Sequence, residues 1–339
     1  MIILVGIIMC IATYGLQIKQ QGYHEDYIGL KSIQPIKGIF ILLVFVSHFA
    51  SYIPMTGPWN QTYSLFQSQL GQLVVAPFLF YSGYGVVLSI EKKGIDYVKA
   101  MPLQRIGKVL LQFAVAVVLY LILQLALGNR YNYKIILLSF VGWESLGNSN
   151  WYIFCILCLY CATWLSYFLL RKGKLLPLLS ASFLSLVYVV FIRRIGKPQW
   201  WYNTALAYTA GMWFAYLRKP LEKIVFSHWA VYATVFAMTV CGFLFAWEHR
   251  HNVWMYEAHS ILFSLVLVLL SCKLQLHNRF LTYCGEHLFS LFILQRIPMI
   301  LLKETPISQF LNVYFMLSLV ATFAISWCFD KGFQKLFRK

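Results

Sequence analysis

The chain has 339 residues, of which 60% are hydrophobic, 18% aromatic and only 12% charged, with a mean hydropathy of +0.68. That composition excludes an ordinary soluble globular domain and places the sequence in a lipid bilayer as one polytopic domain. The net charge of +17, from 28 Lys and Arg against 11 Asp and Glu, would point to nucleic acid in a soluble protein. In a membrane chain it reports orientation instead, because basic residues collect in cytoplasmic loops, and no nucleic-acid partner is implied.

Eleven stretches are long and apolar enough, or nearly so, to cross as helices: residues 1–18, 36–53, 70–90, 106–127, 151–170, 175–192, 203–217, 228–247, 254–272, 288–302 and 310–328. The expected fold is all-α, a polytopic transmembrane helix bundle of about 10–11 spans, with 203–217 the weakest. Placing the C-terminal DKGFQKLFRK inside and alternating backwards puts twenty of the 28 Lys and Arg on the cytoplasmic side, seven outside, and Arg296 within a span. The N-terminus is then outside. Among the cytoplasmic cations are Lys92, Lys93, Lys99, Arg171, Lys172, Lys174, Arg218, Lys219, Lys223, Lys273 and Arg279. Arg193, Arg194 and Lys197 break the pattern, as a tolerated exception or as an electropositive lip for an anionic acceptor.

In chain order, residues 1–18 lack a basic leader and a clear cleavage site, and read as a retained span. The loop that follows ends at Pro35, which suits the first turn of a helix. That helix carries KGIFILLVFVSHFA, residues 37–50. Lys37 at its mouth is either a snorkelling anchor or a functional cation. His48 lies about 16 Å further on, near the middle of a hydrocarbon core roughly 30 Å thick. It is either a core histidine bonded to a neighbouring carbonyl or a buried base, since imidazole can sit in lipid uncharged and still take a proton near neutral pH. Residues 52–69 contain no Lys or Arg but carry Trp59 and Tyr63, as an interfacial loop or as the mouth of a sugar site.

The next helix holds Pro77 and then Tyr81-Ser82-Gly83-Tyr84-Gly85, a pattern for a kink or for close helix packing. Residues 91–108 form the most basic cytoplasmic loop, and Arg105 and Lys108, three apart, are expected on one helical face. The apolar run 135–141 is too short to span and is re-entrant or interfacial. Asn150, Trp151 and Tyr152 open the following helix as an aromatic belt or as a surface for stacking on sugars, and Trp200 to Asn203 pose the same choice. Cys155, Cys158 and Cys161 share one apolar helix with no histidine nearby, so they read as packing residues, and no metal site is expected. Glu257 and His259 could form a polar pair, although at spacing two they do not share a helix face. Glu286 and His287 open the next span on the cytoplasmic side, and Arg296, about eight residues into it, should face a cavity or a carboxylate.

Lys37 with ten intervening residues before His48, then FLFYSGYG at 78–85, the Arg105/Lys108 pair and NWY at 150–152, follow one another in an order that resembles the acyltransferase-3 family of bacterial polytopic membrane enzymes, from about Lys31 onward. The resemblance makes residues 1–30 an accessory span and loop, and residues 31–339 a membrane acyltransferase domain. It implies that an acyl group, acetyl first among the candidates, passes from acyl-CoA to a hydroxyl of a cell-surface or lipid-linked glycan. It casts His48 as general base, a role for which imidazole has a suitable pKa. Lys37, Arg105 and Lys108 become donor-phosphate ligands, and Ser82, Tyr84, Asn150, Trp151, Tyr152 and Arg296 become contacts of the substrate. No cofactor is bound; acyl-CoA is a co-substrate, and the bilayer and the glycan are the partners. The setting is the inner membrane, multi-pass, with the C-terminus cytoplasmic. Two departures stand out: one Arg and one Lys where the family carries several arginines, and Gln295-Arg296 where it often has a histidine, which could signal a different acceptor or acyl group.

A multispan transporter or flippase, with His48 and Arg296 as an intramembrane relay, is the alternative; the absence of a convincing internal repeat tilts against it. A scaffold for envelope assembly would leave the buried His48 and Arg296 without a role.

Overall fold

Lipid offers the backbone no hydrogen bonds, so an apolar chain of this length satisfies its amides within helices. The computed structural model describes residues 1–171 and 173–336 and is all-helical apart from one pair of three-residue strands. Lys172 and residues 337–339, assigned above to the cytoplasmic side, lie outside the described residues.

The elements run α1 (Ile2–Thr13), β1 (Leu16–Ile18), α2 (Leu30–Ala50), α3 (Pro58–Leu70), α4 (Ala76–Met101), a π-helical turn (Pro102–Gly107), α5 (Lys108–Ala126), α6 (Tyr133–Ser139), α7 (Trp151–Leu169) and α8 (Leu175–Arg194). They continue with α9 (Leu206–Val225), α10 (Trp229–Glu248), α11 (Val253–Lys273), β2 (Leu274–Leu276), α12 (Arg279–Glu286), α13 (Leu288–Leu294), α14 (Arg296–Lys303) and α15 (Leu311–Leu336). Among the described residues seven stretches are long and apolar enough to cross a membrane. One of these, Pro58–Ala126, runs through both α4 and α5, which are 26 and 19 residues long. An eighth is counted if α12 and the bent segment after it make one span.

Three expected spans come out differently, the one at 288–302 because it counts only together with α12 across a 69° bend. Only Ile2–Thr13 of residues 1–18 is helical, 12 residues or about 18 Å. Gly15, at φ 83°, then turns the chain into β1, which pairs antiparallel with β2, Leu16 opposite Leu276. The weakest expected span becomes α9, displaced towards the charged end, where Arg218, Lys219, Glu222 and Lys223 occupy its last two turns. The loop at 52–69 also holds a helix, α3, and the run at 135–141 forms the short α6, whose Tyr133 and Leu137 are exposed, as an interfacial segment would be.

Two close helix crossings set the frame. A side-chain carbon on Gly38 of α2 would run into the Leu281 carbonyl of α12, and one on Gly285 of α12 into the Gln34 carbonyl of α2. Gly83 of α4 and Gly211 of α9 repeat the arrangement against the carbonyls of Tyr208 and Phe80. Without a hydrophobic drive between helices in lipid, such backbone approach is what small residues supply. Polar contacts then gather one end of the bundle. Lys174 Nζ donates to Glu91 Oε1 (2.9 Å), tying the start of α8 to α4, while Tyr27 OH donates to Glu222 Oε1 (2.9 Å) and Lys273 Nζ to the Gly22 carbonyl (2.7 Å), joining loop 19–29 to the ends of α9 and α11. Most of the basic residues lie at this end.

Candidate active site

At the basic end a cavity of about 620 Å³ opens between α2, α4, α7 and α9. Three cations line it: Lys37 from α2, Arg105 from the π-helical turn and Arg218 from α9, with Asp26 the one carboxylate of the lining. Each arginine is aimed by tyrosines. Arg105 Nε donates to Tyr97 OH (2.9 Å), and its guanidinium lies 5.6 Å from the Tyr160 ring. Tyr160 OH in turn hydrogen-bonds Ser82 Oγ at 2.6 Å. Arg218 donates through Nε to Glu222 Oε1 (2.6 Å) and through one terminal nitrogen to Tyr84 OH (2.7 Å), and it stacks 5.3 Å over Tyr27. A guanidinium has five donors in a planar fork. The remaining N–H groups of both forks stay available beside Lys37 for a ligand with more than one anionic group.

His48 does not line this cavity. Lys37 stands two turns inside α2, which begins at Leu30, so His48 falls in the last turn of the helix; Ser51 N–H and Oγ donate to its carbonyl at 3.1 and 2.6 Å and end the helix there. Other elements cover it. Ser149 of the loop before α7 lies 3.5 Å from His48 Nε2, and Gln67 of α3 donates to Ser47 Oγ at 2.8 Å. His48 Nδ1 is buried and has no hydrogen-bond partner. Arg296 donates to the Gly147 carbonyl (3.3 Å) and stacks 5.7 Å over Tyr52, while its Nε is buried and unpartnered. Two ring contacts link the two regions: Tyr152, in the cavity wall, lies 5.3 Å from Phe292, which lies 6.2 Å from His48. Lys37 and His48 also share one face of α2, because eleven residues at 3.6 per turn come back to within about 20°.

Arg296 follows directly on a short interruption at Gln295, beyond the 69° bend that separates α12 from the segment 288–303. Pro298, two residues into α14, cannot donate to the Leu294 carbonyl, and the helix separates into α13 and α14. Tyr120 OH of α5 and Gln295 Nε2 donate to the carbonyls of Ile293 and Phe292 (3.1 and 3.0 Å), satisfying backbone at the interruption.

The remaining expected residues are spread more widely. Ser82, Tyr84 and Tyr152 line the cavity with Lys37 and Arg105. Lys108 lines a neighbouring cavity of about 500 Å³ with His287, Ser290 and Asp330, because the π-helical turn between Arg105 and Lys108 removes the shared face that an α-helix would give them. Asn150 braces its own loop, donating to the Gly142 carbonyl at 2.9 Å, and Trp151 packs edge-on against Tyr152. Glu257 and His259 do not pair. Glu257 is buried and accepts from Leu206 N (3.0 Å) at the start of α9, while His259 Nδ1 lies 3.3 Å from the Phe243 carbonyl. Cys155, Cys158 and Cys161 are free thiols. Arg218 and Ser149 had no signal as site residues in the sequence beyond a basic loop and a GNSN run.

No curated protein and no solved structure matches the chain. Residues 30–331 match the acyltransferase-3 family, described as an acyltransferase domain, and the chain belongs to that family.

Proposed function

We propose that this membrane acyltransferase takes an acyl group, acetyl in the simplest case, from a coenzyme A thioester at its basic, cytoplasmic end and places it on a hydroxyl of a cell-surface or lipid-linked glycan. The observation that carries the reading is the convergence of Lys37, Arg105 and Arg218 on one cavity, on the face of α2 that also bears His48. Coenzyme A brings a diphosphate and a further phosphate, anions that Arg and Lys bind well.

In this reading the acceptor oxygen attacks the thioester carbonyl carbon while its proton passes to a free ring nitrogen of His48. Arg296 is the cation at hand for the oxyanion that develops. The intermediate collapses by breaking the C–S bond, the imidazolium returns the proton to the departing thiolate, and the products are the glycan ester and free coenzyme A. Ser149 orients the imidazole. The basic end faces the cytoplasm of a bacterial inner membrane, with the N-terminus outside, since misplacing basic loops is costly.

Mass spectrometry of envelope glycans from cells with and without the protein tests the reading. An ester-linked acyl group that disappears with the protein is the expected result, and identical glycan masses would overturn it.

A further inference from the structure

Beside the cation-lined cavity lies a larger one, of about 920 Å³, that shares Asp26 and Leu30 with it. It sits at the same end of the bundle, against the α2–α12 crossing that Gly38 and Gly285 hold at close approach. Lys31, in the first turn of α2, and Arg279, which opens α12, both line it, are exposed, and take no part in an ion pair among the described residues. Two carboxylates line it as well. Asp26 is folded over Gly29 at the start of α2, where the helix dipole favours a negative charge. Glu286 lies about two turns along α12 from Arg279. Two further lining residues are of kinds that contact a purine: Tyr283, whose ring also packs on His287 and Phe323, and Gln34, whose Oε1 is buried without a partner. An orphaned buried acceptor asks for a donor, which the exocyclic amine of adenine provides.

Resting on the acyl-CoA reading above, we propose that this second cavity receives the adenosine 3′-phosphate end of the donor. Lys31 and Arg279 take the 3′-phosphate, and the Gln34 amide meets the edge of the base. The diphosphate then lies over Lys37, Arg105 and Arg218 next door, and the pantetheine arm runs towards Tyr152. Two adjacent cavities of unequal size match a ligand made of a bulky head and a thin arm, and the bulky head stays at the mouth of the bundle.

Calorimetric titration of the full-length protein in nanodiscs with coenzyme A and with 3′-dephospho-coenzyme A tests the assignment without needing the acceptor. Wild type should bind coenzyme A about tenfold more tightly than the dephospho form. Lys31→Ala combined with Arg279→Ala should erase that preference, raising the coenzyme A Kd about tenfold while moving the dephospho Kd less than twofold. Lys92→Ala, a basic-end substitution that lines neither cavity, should leave both constants in place. A double variant that weakens both ligands equally, or a wild type that binds both equally, overturns the nucleotide site and leaves the acyl-CoA reading standing. A wild type that binds neither removes the acyl-CoA reading itself.

Discussion

Arg218→Ala separates a ligand-binding cation from a structural brace. The side chain is 28% exposed, donates to Glu222 at 2.6 Å and to Tyr84 at 2.7 Å, and points into the same cavity as Lys37 and Arg105. Its removal takes one of three cations from the lining and leaves Glu222 bonded to Tyr27 OH alone among the described residues, so the local field turns towards repelling an anion. A hydrogen bond to a charged group contributes about 1.5 to 3 kcal/mol, and partial exposure places Arg218 near the low end. The apparent KM for acetyl-CoA should therefore rise about tenfold. The maximal rate should change little, because no reacting atom is near. Arg218→Lys should recover only part of the loss, since an ammonium cannot hold Glu222 and Tyr84 and still offer a fork to a phosphate. The assay is acetyl-CoA titration in nanodiscs with envelope glycans as acceptor and thermal melting as a folding control. An unchanged KM in a well-folded Arg218→Ala protein would refute the role.

Arg105→Ala should likewise raise the donor KM, by about ten- to a hundredfold, whereas Arg296→Ala should lower the maximal rate with the KM nearly unchanged, which steady-state kinetics on the pair will show. Gly38→Ala and Gly211→Ala each press a methyl group into a facing backbone carbonyl and should cost about 1 to 3 kcal/mol, seen as a lower melting temperature in detergent, while Gly6→Ala, helical and with nothing near the added carbon, should not lower it. Reporters fused at Lys93 and after the last residue should both read cytoplasmic; extracytoplasmic signals at both would reverse the orientation.

Much of the helical scaffold could be read from apolarity alone, because a bilayer leaves few alternatives to a helix for a long apolar run. The Lys37-to-His48 stretch was equally legible. The helix start at Leu30 was not, since it follows a loop that is held by contacts to α9 and α11 far along the chain. Arg218 was hidden for a related reason. In sequence it is one more cation in a basic loop, and only its i,i+4 partner Glu222 hinted at a fixed geometry; the hydrogen bond to Tyr84 spans 134 positions. Lys108 was paired with Arg105 by α-helical spacing, and one π-helical turn separated them. Ser149 and Gly147 reach His48 and Arg296 through an irregular loop, where no periodicity exists to be read. Glu257 and His259 could be read from the sequence as a polar pair, but the partner of Glu257 is the start of α9.

The central claim is that His48 is the base of an acyl transfer whose donor docks on the cations of the same helix face. Its most direct test is transfer of label from radiolabelled acetyl-CoA to envelope glycan by wild type and by His48→Ala, at matched expression and matched melting temperature. Wild type should label the glycan, and His48→Ala should reduce labelling by at least about a hundredfold, the scale on which general base catalysis operates. Wild-type labelling by a folded His48→Ala protein would contradict the account.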